Sequence, residues 1–263
     1  MKKSISITGS TDGIGKLAAA KLAQEGHEVY LHGRSSVSKV IIEIKTMSGN
    51  ENIAGFLADF SDLSEVRRMG EEVNSKISHL DVLINNAGIF KSPVQRTKAG
   101  FDIRFAVNYL AAYLLTEQTL PLMQGVSGAR IINLSSAAQE TVSIAALKGE
   151  KELSTNEAYA QSKLALTMWS FYLANKLKDI NVMAVNPGSL LNTKMVNEAY
   201  GRYWSSGDKG ADILFELAIS AGYNEITGKY FDNDIGRISN AHNDAYDAEA
   251  INDLIEKTKN LVV

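Results

Sequence analysis

Two side chains of complementary chemistry, Tyr159 and Lys163, stand four residues apart in the segment Tyr-Ala-Gln-Ser-Lys. On a helix this spacing places both on the same face. Tyrosine can exchange a proton with an oxygen, but lowering its pKa from about 10 toward 7 requires about 4 kcal/mol of preference for the phenolate. A nearby ammonium group favours the phenolate. The pair therefore indicates acid–base catalysis at a hydroxyl or carbonyl oxygen, although such a pair alone is usually a chance feature of a helix surface.

A glycine-rich segment, residues 8–15, offers phosphate binding. It follows a predicted strand and opens a predicted helix, which is the context of a dinucleotide-binding turn. Glycine lets a diphosphate approach the backbone, and the amides at the start of the helix attract its charge. A plain glycine turn is the alternative. The residues expected to contact the cofactor, with Ser10 and Thr11 as hydroxyl donors, are Gly9, Ser10, Thr11, Asp12, Gly13, Ile14 and Gly15.

The end of the second predicted strand bears on the choice of cofactor. An NAD-selective site usually has a carboxylate there for the adenosine ribose, but this chain has Arg34 followed by Ser35. A guanidinium group suits a ribose 2′-phosphate, and the serine could add a hydrogen bond. Glu28, at the start of the strand, is too far away to replace the missing acid. The sequence therefore predicts NADP in preference to NAD, with an ordinary solvated arginine as the alternative.

Composition narrows the remaining chemistry. The 263 residues include no cysteine, which excludes disulfides, thiolate catalysis and iron–sulfur or zinc sites built on cysteine. The formal charge of −3 comes from mixed acidic and basic residues, so nucleic-acid binding is not expected. No signal segment and no membrane-spanning stretch is visible, and we expect a cytoplasmic protein without a membrane partner. The four histidines lack metal-ligand spacing, so no metal is expected, and His32 is expected to be structural or near adenine.

The hydrophobic pattern places these motifs in one fold. Short β-branched runs alternate with amphipathic segments, which predicts an α/β fold: a single Rossmann domain over residues 1–263, with a doubly wound, mainly parallel sheet of about seven strands and helices on both faces. The first helix should begin at Gly13 or Ile14, bury Leu17 and end at Gly26, and a longer helix should span 156–178. The predicted strands are 4–8, 28–32, 52–58, 81–85, 130–134, 181–186 and 228–231.

Three motifs in this order resemble the short-chain dehydrogenase/reductase family in its so-called classical form. They are the Thr-Gly-x-x-x-Gly-x-Gly turn, the Asn-Asn-Ala-Gly segment at 85–88, and the Tyr-x-x-x-Lys pair. The resemblance covers nearly the whole chain. It implies hydride transfer between a nicotinamide and a carbonyl or alcohol. Reduction of a ketone needs a hydride on carbon and a proton on oxygen, so a cofactor and a proton donor such as tyrosine are both required.

The resemblance also implies roles for residues outside these motifs. The catalytic group would be Asn108, Ser136, Tyr159 and Lys163, with Ser135 a weaker candidate for the serine. Ser136 would hydrogen-bond the substrate oxygen, and Asn108 could hold a water that relays protons to Lys163. Further cofactor contacts would come from Asp59, Phe60, Asn86, Ala87, Gly88, Pro187, Gly188 and Thr193.

The substrate side is less defined. The interval between Ser136 and Tyr159 is long, so residues 139–155 form a predicted active-site insertion, and this interval together with the segment 228–231 is similar to the retinol-dehydrogenase-like branch, including the WW-domain-containing oxidoreductases. Residues 190–207 contain Met195, Tyr200, Tyr203 and Trp204, a composition typical of a mobile lid over an apolar ligand, with simple packing on the sheet as the alternative. We expect a small, partly apolar carbonyl or alcohol substrate and possible homo-oligomers.

Two other functions fit parts of the pattern. An epimerase or dehydratase could use the same Tyr-x-x-x-Lys pair, but the glycine spacing and the Asn-Asn-Ala-Gly segment favour the dehydrogenase. A regulatory protein could keep NADP binding and lose turnover, since a fold alone does not prove chemistry.

Overall fold

The computed structural model describes residues 2–262, and its centre is an eight-stranded sheet. The strands are β1 Ser4–Ile7, β2 Glu28–Gly33, β3 Ile53–Leu57, β4 Val82–Asn85, β5 Ala129–Leu134, β6 Ile180–Asn186, β7 Lys229–Asp232 and β8 Arg237–Ser239. Their order across the sheet is β3-β2-β1-β4-β5-β6-β7-β8, with β1 to β7 parallel and β8 antiparallel to β7. The α/β class with a mainly parallel sheet is confirmed.

The helices lie on both faces of this sheet. They are α1 Gly13–Gln24, α2 Val37–Ser48, α3 Leu63–Lys76, α4 Ile103–Phe105, α5 Ala111–Thr119, α6 Ile144–Leu147, α7 Thr155–Lys176, α8 Lys194–Tyr200, α9 Gly207–Ile219 and α10 Ala248–Leu261. A π-helical turn, Ala106–Leu110, joins α4 to α5. No helix within residues 2–262 has both the length and the apolar character to cross a membrane.

Alternating side chains of the strands fill two layers of core. Along β4, Val82 and Ile84 point to the layer beneath α1, α2 and α9, whereas Leu83 points to the layer that contains Trp169 of α7 and Leu254 of α10. Both faces of the sheet are therefore shielded from water, as a parallel sheet requires. This arrangement explains why apolar residues occur on both faces of β4 and β6.

All seven predicted strands are present, with no end shifted by more than one residue, but the expected number was one too low. The missed strand, β8, has three residues and pairs with β7 after a turn at Gly236, whose φ is +69°. Such a short edge strand carries no apolar alternation. The prediction that Leu17 is buried was also wrong, because it lies at the edge of the α1–α9 contact, beside Gly207, and is 36% exposed.

The parallel strands bring the loops that follow them to one edge of the sheet. From β1 the chain builds outward to β2 and β3, and then crosses to β4 and continues in the opposite direction. The change of direction leaves a crevice at the carboxyl ends of β1 and β4, where ligands bind in open α/β sheets. The glycine turn follows β1 and the Asn-Asn-Ala-Gly segment follows β4, so both predicted motifs border this crevice.

Helix α7 begins with a capping box. The Ser154 hydroxyl accepts a hydrogen bond from Glu157 N, and the Glu157 carboxylate accepts one from Ser154 N. The two side chains satisfy donors that a helix start otherwise leaves unpaired. Because Tyr159 lies in the second turn, this cap fixes the part of α7 that carries it.

We expect Ser154→Ala to lower the free energy of unfolding by about 1 kcal/mol, since it removes the acceptor for Glu157 N. Urea denaturation of the purified protein measures this difference. Ser154→Asp, which keeps an oxygen acceptor, serves as the control and should stay close to wild type. Equal stability of the alanine and aspartate variants would contradict a role for the cap.

Candidate active site

Tyr159 and Lys163 occupy one face of α7, as their spacing predicts. The Lys163 Nζ lies 5.7 Å from the centroid of the Tyr159 ring. It donates a hydrogen bond of 2.6 Å to the Leu134 carbonyl at the end of β5, and the lysine is only 4% exposed. A buried ammonium needs such an acceptor. The bond therefore fixes the pair against the carboxyl edge of the sheet.

Burial affects the pKa values of both groups. Desolvation lowers the pKa of Lys163 to about 8. It raises the pKa of Tyr159 above the usual value, while a hydrogen bond with Ser136 acts in the opposite direction and the nearby Tyr200 adds to the increase. The expectation that the residues around Tyr159 lower its pKa is thus wrong, because desolvation of the phenolate outweighs the favourable contacts.

The two serines after β5 point in different directions. The Ser136 side chain lies close enough to Tyr159 to oppose the rise in its pKa, and the Ser136 Oγ accepts a hydrogen bond of 3.1 Å from Ala138 N. Ser135 is buried, and its Oγ bonds Thr167 Oγ1 at 2.7 Å and the Lys163 carbonyl at 3.2 Å, within α7. This geometry favours Ser136 over Ser135 as the serine that meets a substrate oxygen.

Asn108 lies in the π-helical turn and is almost fully buried. Its Oδ1 accepts a hydrogen bond of 2.7 Å from Ile89 N, and its Nδ2 donates to the Ile89 carbonyl at 3.1 Å and to Ser162 Oγ at 2.9 Å. Both N–H groups are therefore used within the protein, and the side chain joins the loop after β4 to α7. The water relay through Asn108 stays a prediction.

The glycine turn has the backbone that its sequence requires. Gly9 and Gly13 have φ values of +63° and +55°, which glycine adopts without strain. A Cβ at Gly15 would lie 2.3 Å from Asn86 Nδ2, so the turn and the segment after β4 are in close contact. Asn86 Nδ2 donates to the Thr8 and Gly9 carbonyls at 2.7 and 2.9 Å. The second motif thus braces the first.

Other residues of the turn have distinct surroundings. Asp12 caps α1 by accepting a hydrogen bond from Gly13 N. Ser10 is fully buried; its hydroxyl donates to the Ile7 carbonyl and accepts from His32 N, so the prediction that it donates to phosphate was wrong. Thr11, in the middle of the turn, contacts Gly33, the residue before Arg34, and is partly exposed. Of the two predicted hydroxyl donors, only Thr11 is placed to meet a ligand.

His32 links two of the predicted cofactor loops. Its Nδ1 accepts a hydrogen bond of 3.1 Å from Gly9 N, and its Nε2 donates to the Ala58 carbonyl at 3.0 Å. The ring stacks on Phe60 with 4.0 Å between centroids. Burial lowers the pKa of His32 to about 4, so the ring is neutral. The sequence indicated a structural position, but nothing in it showed that this residue orients the turn.

The outer end of the crevice is formed by the loops after β2 and β3. Arg34 and Ser35 are exposed, and the chain turns at Ser36, whose φ is +61°. Asp59 is partly buried, and its Oδ1 accepts a hydrogen bond of 2.9 Å from Ser61 N. The guanidinium group and the Asp59 carboxylate thus follow neighbouring strands of the sheet.

The loop after β6 is braced by the turn after β7, which the sequence did not single out. Asn186 Nδ2 donates to Asp232 Oδ1 at 2.8 Å and to Asp234 Oδ2 at 2.9 Å, and Asn233 Nδ2 donates to the Pro187 carbonyl at 2.9 Å. Burial opposes ionisation of Asp234, but hydrogen bonds from Ser189 and Asn186 outweigh it and lower the pKa of that carboxyl. The Asp-Asn-Asp run was the only available signal.

Gly188 and Thr193 continue this loop toward the glycine turn. Gly188 has a φ of +121°, and Thr193 caps α8 by accepting a hydrogen bond from Val196 N. The Thr193 methyl carbon lies 3.7 Å from the position that a Cβ on Gly13 would occupy. The loop after β6 therefore faces the turn after β1 across the crevice, as the predicted contacts of Pro187, Gly188 and Thr193 require.

Residues 190–207 cover one side of Tyr159. The Tyr200 ring, at the end of α8, stacks on Phe90 with 5.7 Å between centroids, and Phe90 meets the Tyr159 ring edge-on at 5.0 Å. Lys91 Nζ donates to the Ala199 carbonyl at 3.0 Å. Tyr203 and Trp204 are exposed. An open depression of about 460 Å³ lies beside this contact, lined by Lys91, Ser92, Pro93, Gln95, Thr155 and Glu198.

The predicted insertion, 139–155, contains the short helix α6 and is held on either side of that helix. Ser143 N donates to Gln161 Oε1 on α7 at 3.0 Å. Arg96 donates to the carbonyls of Gly100 and Gly149 at 2.8 and 2.7 Å. The insertion thus packs between α7 and the loop after β4, on the same side as the depression. Within residues 2–262 no cluster of three or more histidine, aspartate or glutamate side chains could hold a metal ion.

The glycine cradle fits a dinucleotide and the Tyr159 group fits proton transfer, which together define an oxidoreductase site of the NAD(P) class. A Cβ on residue 88 would lie only 3.4 Å from Lys163 Nζ. Because this residue is glycine, the cradle stays open next to the candidate catalytic residues. The residues that would hold the cofactor are those of the glycine turn and of the loops after β2 to β4 and β6. A bound nicotinamide would supply or accept the hydride.

Comparison with known proteins identifies the family. Residues 3–203 match the model of the short chain dehydrogenases. Human retinol dehydrogenase 11 is 31% identical over 243 residues, which cover 87% of this chain and 76% of that protein. A Mycobacterium paratuberculosis crystal structure superposes with a TM-score of 0.79 at 25% identity, covering 99% of this chain and 93% of that chain. A Shigella flexneri short chain dehydrogenase solved with NADP superposes with a TM-score of 0.70 at 24% identity. The match covers 88% of this chain and 96% of that chain.

The chain belongs to the short-chain dehydrogenase/reductase family, and it is an oxidoreductase that acts on CH–OH groups with NAD(P). The family predicted from the three motifs is confirmed. The similarity to human retinol dehydrogenase 11 agrees with the branch that the sequence resembled.

His32 generates a pH-dependent prediction. The unfolded chain protonates this histidine below about pH 6.5, whereas the folded protein resists protonation until about pH 4. Stability is therefore lost as the pH falls, and between pH 7 and pH 5 the loss from this group is about 2 kcal/mol. In His32→Asn, which keeps an acceptor for Gly9 N but cannot titrate, this part of the loss should be missing.

Urea unfolding of wild type and His32→Asn at pH 7 and pH 5 measures the difference. His79→Asn, at an exposed histidine, controls for removal of a histidine as such and should follow wild type. The same drop in stability for wild type and His32→Asn would show that His32 is not held neutral by the fold.

Proposed function

We propose that this protein transfers hydride between NADP(H) and a carbonyl or alcohol group of a partly apolar substrate, with Tyr159 as general acid and base. The observation that carries the proposal is the convergence of Tyr159, Lys163 and Ser136 beside the glycine cradle: Lys163 is bonded to Leu134, and Ser136 lies near enough to Tyr159 to oppose the rise in its pKa. Proton exchange at oxygen and hydride exchange at carbon then occur at one place.

The residues divide the chemistry of reduction among them. The Ser136 hydroxyl donates to the substrate oxygen and stabilises the charge that develops there. Tyr159 gives its proton to the same oxygen. Lys163, held near Tyr159, favours the phenolate that is left, and Asn108 keeps the loop after β4 in register with α7. In the oxidation direction each proton moves the opposite way.

The preference for NADP is supported by charge at the end of β2. Arg34 is exposed beside the crevice, next to Gly33, which lies against Thr11 of the glycine turn. No carboxylate occupies the position after β2, so a ribose 2′-phosphate meets a cation and no competing anion there. The Shigella flexneri enzyme with the same fold was solved with NADP.

The substrate class follows from the walls around Tyr159. The exposed Tyr200 ring, stacked on the buried Phe90, offers aromatic surface near the tyrosine, and Leu190 to Gly207 form the segment that we propose as the lid. Leu190 has a φ of +46°, a strained value for a branched residue, at the point where this segment begins. An apolar substrate body against the aromatic rings, with its carbonyl directed at Ser136, is consistent with these walls.

Arg34→Ala tests the cofactor. Loss of a charged hydrogen-bond donor to phosphate should weaken NADPH binding by about tenfold to a hundredfold and leave NADH binding unchanged. Fluorescence titration of both cofactors measures this. Arg237→Ala, at an exposed arginine on β8 far across the sheet from β2, is the matched control. Equal effects on NADPH and NADH, or tighter NADH binding by wild type, would overturn the NADP assignment.

Tyr159→Phe tests turnover. Removing the proton donor should lower kcat by about a hundredfold to ten-thousandfold in a panel of aldehydes, ketones and alcohols, while NADPH still binds. Stopped assays of NADPH oxidation measure kcat, and the titration above measures binding. If wild type binds NADPH but none of the panel stimulates its oxidation, a regulatory NADP-binding role replaces the enzymatic one.

A further inference from the structure

A tyrosine from a strand two positions away in the sheet contacts the candidate catalytic serine. The Tyr230 hydroxyl donates a hydrogen bond of 2.9 Å to the Ser136 carbonyl. Tyr230 lies on β7, is 3% exposed, and is separated from Ser136 by 94 positions in the chain. The serine loop follows β5, so this bond spans β6, which lies between β5 and β7 in the sheet.

A second donor converges on the same carbonyl. Gln139 Nε2 donates to it at 2.9 Å, and Gln139 Oε1 in turn accepts a bond of 3.1 Å from His242 N. The Ser136 carbonyl oxygen thus has two acceptor sites filled by two side chains. Gln139 belongs to the serine loop itself, whereas Tyr230 lies on a strand of the sheet. Of the two donors, Tyr230 is therefore the one that ties the loop to a rigid element.

Beyond this carbonyl, the serine loop is held by Ser135, which bonds α7, and by the hydrogen bond that Ala138 N donates to the Oγ of Ser136. Ala137 and Ala138, which follow it, are exposed and have no side-chain polar group. On this side of Ser136 the carbonyl is therefore the group through which Tyr230 and Gln139 orient the serine, and a shift of this peptide would move the Oγ relative to Tyr159.

We propose that Tyr230 is a positioning residue that, through its hydrogen bond to the Ser136 carbonyl, holds the Ser136 hydroxyl beside Tyr159. The proposal rests on the function proposed above, because it assigns Ser136 and Tyr159 to the reaction. Tyr230 touches neither reacting atom, and it acts through Ser136. The group that matters is the phenol hydroxyl, since phenylalanine would fill the core equally well.

The position of Ser136 has a measurable consequence for Tyr159. The hydrogen bond from Ser136 lowers the pKa of Tyr159 and so offsets part of the effect of burial. Besides Ser136, the groups that face Tyr159 are Lys163 on its own helix, Tyr200 from α8 and Tyr230 from β7. Once the serine is displaced, the pKa of Tyr159 should rise.

The test is Tyr230→Phe, with Tyr109→Phe as the matched control. Tyr109 is equally buried and also loses one hydrogen bond, of 2.8 Å to Thr258 Oγ1, in a contact with α10. Both variants should lose similar stability in urea. Only Tyr230→Phe should lower kcat, by about threefold to tenfold, the range for one hydrogen bond, without changing the KM for NADPH.

The pH profile separates positioning from general loss of structure. In the reductive direction Tyr159 must be protonated, so activity falls as the pH rises through its pKa. In Tyr230→Phe this falling limb should move to higher pH, while in Tyr109→Phe it should stay in place. If the falling limb of the pH profile and the kcat of Tyr230→Phe both match those of Tyr109→Phe, Tyr230 only fills the core and the proposal is overturned.

A direct titration keeps this test independent of turnover. In protein labelled with [ζ-¹³C]tyrosine, the NMR signal that disappears in Tyr159→Phe reports ionisation of Tyr159, and its midpoint should be higher in Tyr230→Phe than in wild type. If wild type shows no turnover, the proposed function fails, yet this midpoint still decides the role of Tyr230. An unchanged midpoint overturns the positioning role whatever the activity.

Discussion

The hydrogen bond from Lys163 Nζ to the Leu134 carbonyl joins α7 to the end of β5 at 2.6 Å, inside the protein. An ammonium group this deeply buried is stable only with an acceptor at a fixed place, so the bond sets the distance and rotation of α7 relative to the sheet. Tyr159 lies one turn earlier on the same face. Ser135 bonds the same turn of α7, which leaves the next residue, Ser136, to face Tyr159.

The loops at the carboxyl edge depend on one another in the same way. Asn86 holds the glycine turn, His32 links that turn to the loop after β3, and the aspartates after β7 hold the loop after β6. In each case a polar side chain joins two segments of this edge: Asn86 and His32 bond backbone groups, and Asp234 accepts from the Asn186 side chain. Buried polar groups that are fully paired add rigidity, which a site for two reacting partners needs.

Much of this was predictable from local sequence. The seven parallel strands appear as short apolar runs, and the glycine turn, Arg34 and the Tyr159–Lys163 pair are set by spacing alone. Other features depend on contacts between distant segments. Ser10 reads as a phosphate donor but is buried against His32, and Leu17 fits an apolar face that α9 leaves partly open. Similarly, the pKa of Tyr159 is decided by how deeply α7 is covered.

The sequence by itself determined the α/β class and the order of the strands along the chain, because these follow from hydrophobic periodicity. Its three motifs indicated the family, and side-chain chemistry at fixed spacing predicted the residues that would exchange a proton with a substrate. Only the tertiary structure decided which serine faces Tyr159, what orients the phosphate turn, and that Tyr230 reaches the serine loop from β7. Such partners lie tens of residues apart, and the packing that brings them together leaves no periodic pattern in the chain.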